Sequence, residues 1–212
     1  MQRVIQPKIL YFGTPVVIIS TLNADGTTNL APMSSAWWLD QSCMLGMSSR
    51  SQTMHNVLRE RTCVLNLPSV AQVAAVNRLA LLTGRNPVPD YKVAMGYRYE
   101  ADKFGVAGLT PVPSESGGPA RVAECPIQLE ATLVDARPFG EVDDALLAAE
   151  LRIVCTHVDE ALLVPGTTSH IDPDAWKPLI MSFTEFYGLG ERVHDSRLAR
   201  VYRPAPAAPV GA

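Results

Sequence analysis

Two short polar stretches interrupt otherwise apolar sequence, and both carry groups able to hold an anion. One is Asn29-Leu30-Ala31-Pro32-Met33-Ser34, followed by Ser35; the other is Ser48-Ser49-Arg50-Ser51-Gln52-Thr53. Ser51 is a good N-cap for a helix over Gln52 to Arg61, in which Met54, Val57 and Leu58 fall on one face. The first turn of such a helix presents unpaired amides and the positive end of its dipole, so an anion is favoured there before any side chain is counted. The hydroxyls of Ser48, Ser49, Ser51 and Thr53 and the Arg50 guanidinium fringe that turn, and a phosphate monoester is the matching guest. In the first stretch Pro32 removes a strand donor and fixes its own φ, which can turn neighbouring amides toward a ligand. Ala31 and Ser34 are small enough to let a planar ring approach the backbone. Taken singly, the second stretch also reads as a helix cap with a solvated arginine, and the first as a bulge at a barrel edge.

The elements that would position these stretches are mostly strands. Thr14 to Thr21 is rich in β-branched residues and ends at Asn23-Ala24-Asp25-Gly26, after which Thr27 to Leu30 resumes as a strand: a hairpin signal. The first strand is apolar on both faces, which suits burial in a barrel or sandwich. Ser35 to Leu39 and Cys43 to Met47 form a second extended pair around Asp40-Gln41-Ser42, and the adjacent Trp37 and Trp38 must face opposite sides. Thr62 to Leu67 is the next strand, stopped by Pro68; Ser69 caps a helix predicted over Val70 to Leu82. From Thr83 to Ala120 periodicity fades while Gly, Pro and aromatic residues recur, which predicts a long lid or partner-contacting loop. Strands return over Cys125 to Val134 and Leu146 to Asp159, joined by the polar break Pro138 to Asp144, and Leu179 to Phe186 completes the core. Hairpins with helices inserted between them predict a mainly β, α+β fold: an antiparallel barrel with a few packed helices and one long loop. Residues 1–203 read as a single domain, and the Pro/Ala-rich 204–212 as a disordered tail.

Composition narrows the function. A chain of 212 residues, 47% hydrophobic and 18% charged, has the balance of a packed globular domain. The net charge of −3 and the scattered Lys and Arg argue against nucleic acid as a partner. No apolar run approaches the ~18 residues of a membrane-spanning helix, and the N-terminus lacks the apolar core of a secretory signal, so a cytoplasmic location without membrane contact is expected. Cys43, Cys63, Cys125 and Cys155 form no Cys-x-x-Cys pair and read as reduced thiols. His55, His157, His170 and His194 are dispersed, which disfavours a zinc site. His157 reads as a satisfied residue on a strand in preference to a catalytic one.

The order of these motifs carries a resemblance. A strand, an Asp-Gly hairpin, Asn29-Leu30-Ala31-Pro32-Met33-Ser34, a strand, Ser-Ser-Arg-Ser-Gln-Thr, a helix beginning near His55-Asn56 and a strand ending Asn66-Leu67-Pro68 resemble the FMN-binding split-barrel family of flavin reductase-like proteins and flavoredoxins. Gly108-Leu109-Thr110-Pro111 and Glu124-Cys125-Pro126-Ile127-Gln128-Leu129-Glu130 are similar to it too, and the likeness covers roughly residues 10 to 190. It implies a split β-barrel that holds FMN at a homodimer interface, with the phosphate at Ser48 to Thr53 and the isoalloxazine edge on Asn29 to Ser34 and Ser35. Thr53 takes the place of the family's phosphate-binding threonine and Asn29 that of the asparagine bordering the flavin. Asn56 belongs to the same cradle, and Lys103 stands where a lysine reaches the cofactor. Where dedicated reductases often carry a histidine in a Gly-Asp-His-like stretch, this chain reads Phe139-Gly140-Glu141-Val142-Asp143-Asp144.

The implied activity is an FMN-dependent oxidoreductase that takes hydride from NADH or NADPH and passes electrons to a flavin, quinone or protein acceptor. With the flavin as hydride acceptor the protein need supply no general acid or nucleophile. No Gly-x-Gly-x-x-Gly is present, so no Rossmann-type nicotinamide site is expected and donor and acceptor would share one face. A flavoredoxin-like carrier without nicotinamide activity and a non-catalytic dimeric interaction protein are the alternatives.

Overall fold

The computed structural model describes residues 1–140 and 145–202. The chain runs first as β1 (Phe12–Pro15), breaks at Val16 and continues as β2 (Val17–Leu22), so the one strand expected over Thr14 to Thr21 is shared between two sheets. Pro15 has no amide to give a ladder, and the Val16 amide donates instead to Leu179 O at 2.8 Å. Beyond the Asp25-Gly26 turn, β3 (Thr28–Met33) pairs antiparallel with β2 in the register Ser20 to Leu30 and Ile18 to Pro32. β4 (Ala36–Leu39) and β5 (Ser42–Ser48) follow as the expected second hairpin. Helix α1 (Gln52–Glu60) starts at the Ser51 cap, whose hydroxyl accepts from the Met54 amide at 3.0 Å, and stops at Arg61, which adopts left-handed geometry.

Strand β6 (Thr62–Leu67) leads to Ser69, which caps as expected, but the helix predicted over Val70 to Leu82 is split. Val70–Gln72 is a 3-10 turn, α2 (Val73–Leu79) carries the α-helical part, and Leu82–Thr83 is the short strand β7. Tertiary pairing decides this: β7 lies parallel to β8 (Arg98–Tyr99), which draws the end of the apolar run out of the helix. The long stretch from Thr83 to Ala120 is therefore structured, with α3 (Asp90–Ala94) before β8 and α4 (Lys103–Ala107) and β9 (Pro111–Val112) after it. β9 pairs with β10 (Arg121–Val122). Arg78 of α2 holds α4 by donating to Ala107 O from Nε at 3.1 Å and from its terminal nitrogen.

The two longest strands, β11 (Ile127–Pro138) and β12 (Leu146–Val158), are antiparallel and lie at the centre of a seven-stranded sheet with order β3-β2-β6-β11-β12-β5-β4. A second sheet joins β1 to β13 (Leu179–Ser182) and β14 (Glu185–Gly188). The result is mainly antiparallel, a split β-barrel with a few packed helices. Part of the break at Pro138 to Asp144 and the tail from residue 204 lie outside the described residues.

Two apolar cores explain why β2 is apolar on both faces. Val17 and Ile19 enter a core with Leu45, Met54, Leu65, Leu129 and Leu151, whereas Val16 and Ile18 meet Leu30, Val76, Leu79 and Ala107 in a second core under α2 and α4. Each large side chain so removed from water contributes about 1.5–3 kcal/mol. This double packing fixes β2, and with it the β3 edge that borders the cleft described next. Among the described residues no helix is long and apolar enough to cross a membrane.

Candidate functional site

The end of β3, the first turn of α1, the start of α4 and the β7 turn converge on a cleft of about 100 Å³. Of the residues singled out from sequence, Asn29, Ala31, Pro32, Met33, Ser51, Gln52, Thr53 and Lys103 line it. A chain of polar contacts runs along its wall. Lys103, 3% exposed, donates from Nζ to Asn29 Oδ1 and to Leu30 O, both at 2.8 Å. Asn29 Nδ2 then donates to Thr53 Oγ1 at 3.2 Å, which joins α4, β3 and α1 through three side chains.

A second row stands behind the first. Asn56 is fully buried and its Nδ2 donates to Thr21 Oγ1 at 3.0 Å and to Asn23 Oδ1 at 2.9 Å, while its Oδ1 accepts from Gln52 Nε2 at 2.9 Å. Asn56 thus orients Gln52 at the helix start and does not itself line the cleft. Ser34, Ser35, Ser48, Ser49 and Arg50 also lie off the cleft walls. Ser34 is buried, Ser35 shares a hydrogen bond with the Tyr11 hydroxyl, and Ser48 Oγ accepts from the Arg50 amide at 3.2 Å. The Ser49 amide donates to Ala145 O, and Arg50 is exposed.

The cleft also uses residues that sequence reading did not single out: Thr83, Gly84, Lys92 and Tyr97, all from the stretch read as a loop. Gly84 is required by close approach. A Cβ there would stand 2.6 Å from Asn29 Oδ1 and 3.0 Å from Gln52 Cγ. Lys92 Nζ lies 3.4 Å from Thr83 Oγ1 and 5.2 Å from the centre of the Tyr97 ring. A glycine amid Thr83-Gly84-Arg85 with two lysines downstream was the available signal, but their convergence needs the β7 to β8 pairing.

The electrostatics follow from these contacts. Burial lowers the Lys103 ammonium to about 8; the Lys92 charge pushes the same way and Glu100 opposes it. Lys92 is lowered by burial and by Arg85, and His55 of α1 is lowered by burial, Arg85 and Arg59. Among the described residues no carboxylate lines the cleft, and neither Lys92 nor Lys103 is in an ion pair. A buried ammonium whose partners among the described residues are neutral oxygens, next to a helix N-terminus, has the chemistry to hold an anion. Larger grooves occur elsewhere, such as one of about 830 Å³ beside Gln41 and Leu163, but among the described residues no buried charged group lines it.

A family profile described as flavin reductase like domain matches residues 9–189. The chain belongs to the flavin reductase-like family. YdfE, an uncharacterized protein of Bacillus subtilis (strain 168), is 37% identical over 189 residues, covering 89% of this chain and 90% of that protein. Among solved structures, flavoredoxin of Desulfovibrio vulgaris (Miyazaki F) is similar at a TM-score of 0.75 with 21% identity, over 94% of this chain and all of that one. The FMN-binding protein from Thermus thermophilus with bound 1-cyclohex-2-enone gives 0.68 with 15% identity, over 92% and 97% of the two chains. The family supplies the ligand class that the cleft leaves general: a flavin.

Proposed function

We propose that this flavin reductase-like chain is an oxidoreductase that holds FMN in the cleft, receives hydride from NADH or NADPH and delivers electrons to a small-molecule or protein acceptor. The observation that carries this reading is the Lys103 ammonium, 3% exposed, whose partners among the described residues are the neutral oxygens of Asn29 and Leu30. It supplies a positive charge in a low-dielectric wall, where an anionic ring edge gains most from it. Thr53, Gln52 and the first-turn amides of α1 would hold the phosphate, and Ala31, Pro32 and Met33 would lie along the ring. Gly84, with no Cβ, leaves Asn29 in place. Bound there, FMN supplies the redox chemistry, and this chain orients it, neutralises its charge and excludes water.

A cleft of about 100 Å³ is small beside the ~300–1,000 Å³ pockets that enclose ligands of cofactor size. A second copy of the chain completes the enclosure in this reading, with the exposed Trp37 and Leu39 of edge strand β4 as apolar contacts. Light scattering on the purified protein checks for the dimer.

The deciding experiment is the visible absorbance of the purified protein with FMN, followed anaerobically by NADH and then NADPH. Stoichiometric FMN bleached by one of the nucleotides is the expected result. A yellow protein inert to both reduces the assignment to an electron carrier. Colourless protein whose melting temperature FMN does not raise overturns the cofactor assignment itself.

A further inference from the structure

On the face of the central strand pair that carries Glu130, three ligand-bearing side chains meet. Glu130 of β11 stands directly opposite Cys155 of β12, and His157, two residues on, points to the same side because side chains alternate along a strand. His157 Nε2 lies 2.8 Å from Glu130 Oε1 and 3.4 Å from Cys155 Sγ, and the three donor atoms are all within 4.8 Å of one another. We propose that Glu130, Cys155 and His157 form a zinc site with a fourth coordination position open to solvent. The expectation from sequence was the opposite, because Cys155 and His157 are unremarkable until β11 brings a carboxylate to them.

The distances suit the metal. Tetrahedral zinc at roughly 2.0–2.1 Å from N and O and 2.3 Å from S separates N from S by about 3.5 Å and N from O by about 3.3 Å. The sulfur is already at that spacing. The carboxylate must retreat by about 0.5 Å, which is the change expected when a metal replaces an N–H···O bond. Glu130 is prepared for the role: the Ser116 amide (2.8 Å) and hydroxyl donate to Oε2, and the Glu115 amide (2.9 Å) donates to Oε1. A carboxylate so anchored needs little ordering to present its remaining lone pair, as the outer hydrogen bonds of metal ligands usually arrange.

Access and charge agree. Glu130 is buried, whereas Cys155 and His157 are half-buried and can be reached from solvent. A groove of about 310 Å³ opens beside His157, Gln128 and Arg121 and has room for a fourth ligand. Binding expels the thiol proton to solvent and leaves the imidazole as its Nδ1–H tautomer, so carboxylate and thiolate balance the dication. Arg121, whose Nε is 3.8 Å from Glu130 Oε1, then adds one positive charge. Glu124 and Asp159 line the same groove and offset that charge, so neutral water suits the fourth position. Thiolate and imidazole together select zinc over magnesium or calcium. The other three cysteines do not compete: burial pushes the Cys43 and Cys63 thiols up to about 12 and raises that of Cys125 as well.

The test uses the full-length protein, freed of metal with a chelator and titrated with Zn²⁺ against a chromophoric competitor. One zinc per chain is expected, with Cys155 protected from iodoacetamide and a cobalt–thiolate charge-transfer band when Co²⁺ replaces zinc. Cys155→Ser and His157→Gln should each weaken binding about 100-fold with unchanged melting of the metal-free protein. These two variants leave the Glu130 contacts to Ser116 and Glu115 in place, so a folding failure of Glu130→Gln would not obscure the result. Equal zinc affinity in the Cys155→Ser, His157→Gln double variant, or equal alkylation of Cys155 with and without zinc, overturns the site. Flavin content enters none of these readouts, so their outcome is independent of the proposed function.

Discussion

Replacing Lys103 by methionine removes one charge from the cleft wall and changes the side-chain volume little. The structure sets the size of the effect. Burial first, then the Lys92 charge, lowers the Lys103 ammonium from 10.5 to about 8. Keeping it protonated at neutral pH therefore costs the fold on the order of 3 kcal/mol relative to a solvated lysine. Between these two pH values the unfolded chain holds a proton that the folded one has released, so stability rises with pH across the window and levels off above it. The variant lacks that rise, and the difference between the two denaturation profiles isolates Lys103 from the common background of surface groups. Flavin binding should show the complementary trend. An anion beside Nζ favours the protonated form, so wild-type affinity for FMN should fall as pH rises through about 8, by up to about tenfold per pH unit. The variant should bind FMN about 10–100-fold more weakly near pH 7, as loss of a charge-assisted hydrogen bond implies, and with little pH dependence above that. Flavin fluorescence quenching across the range reads both quantities. Parallel pH profiles for the two proteins would refute the placement of FMN against Lys103.

Other perturbations probe neighbouring contacts. Gly84→Ala places a methyl 2.6 Å from Asn29 Oδ1, and the displaced Asn29 should weaken FMN binding about tenfold in the same titration. Ser51→Ala removes the cap to the Met54 amide and should cost about 1 kcal/mol in urea denaturation, with a larger proportional loss of flavin affinity because the first turn frays. Glu130→Ala strips the acceptor from the Ser116 and Glu115 amides; a loss of about 3 kcal/mol is expected, with faster proteolysis between Pro113 and Ala120.

Local chemistry makes a good part of this protein legible in its sequence. The Asp25-Gly26 turn, the Ser51 cap and the stop at Pro68 are each decided within a few residues and appear where expected, whereas the β-branched run from Thr14 is divided at Val16 between β1 and β2. Asn29 and Thr53 lie in stretches legible as a proline-bearing strand and a capped helix start, although β3 runs through Pro32 in register with β2 and neither breaks nor bulges there. The Thr83 to Ala120 stretch was not legible. Its elements have two to five residues each, too short for periodicity, and they exist because β7 pairs with β8 and Arg78 fastens α4 to α2.

Residue types and their order in the chain thus determined the strands, the helix start and the anion-seeking stretches, since these depend on interactions between near neighbours. Which of the candidates meet was decided only by tertiary structure. Lys103 reaches Asn29 across 74 positions, and Glu130 reaches His157 across 27. Such contacts are set by strand register and by two cores that β2 keeps apart, and a shift of one residue would point every side chain of a strand to its other face. Alternation along the strand could be read from the sequence; the partner across the sheet could not.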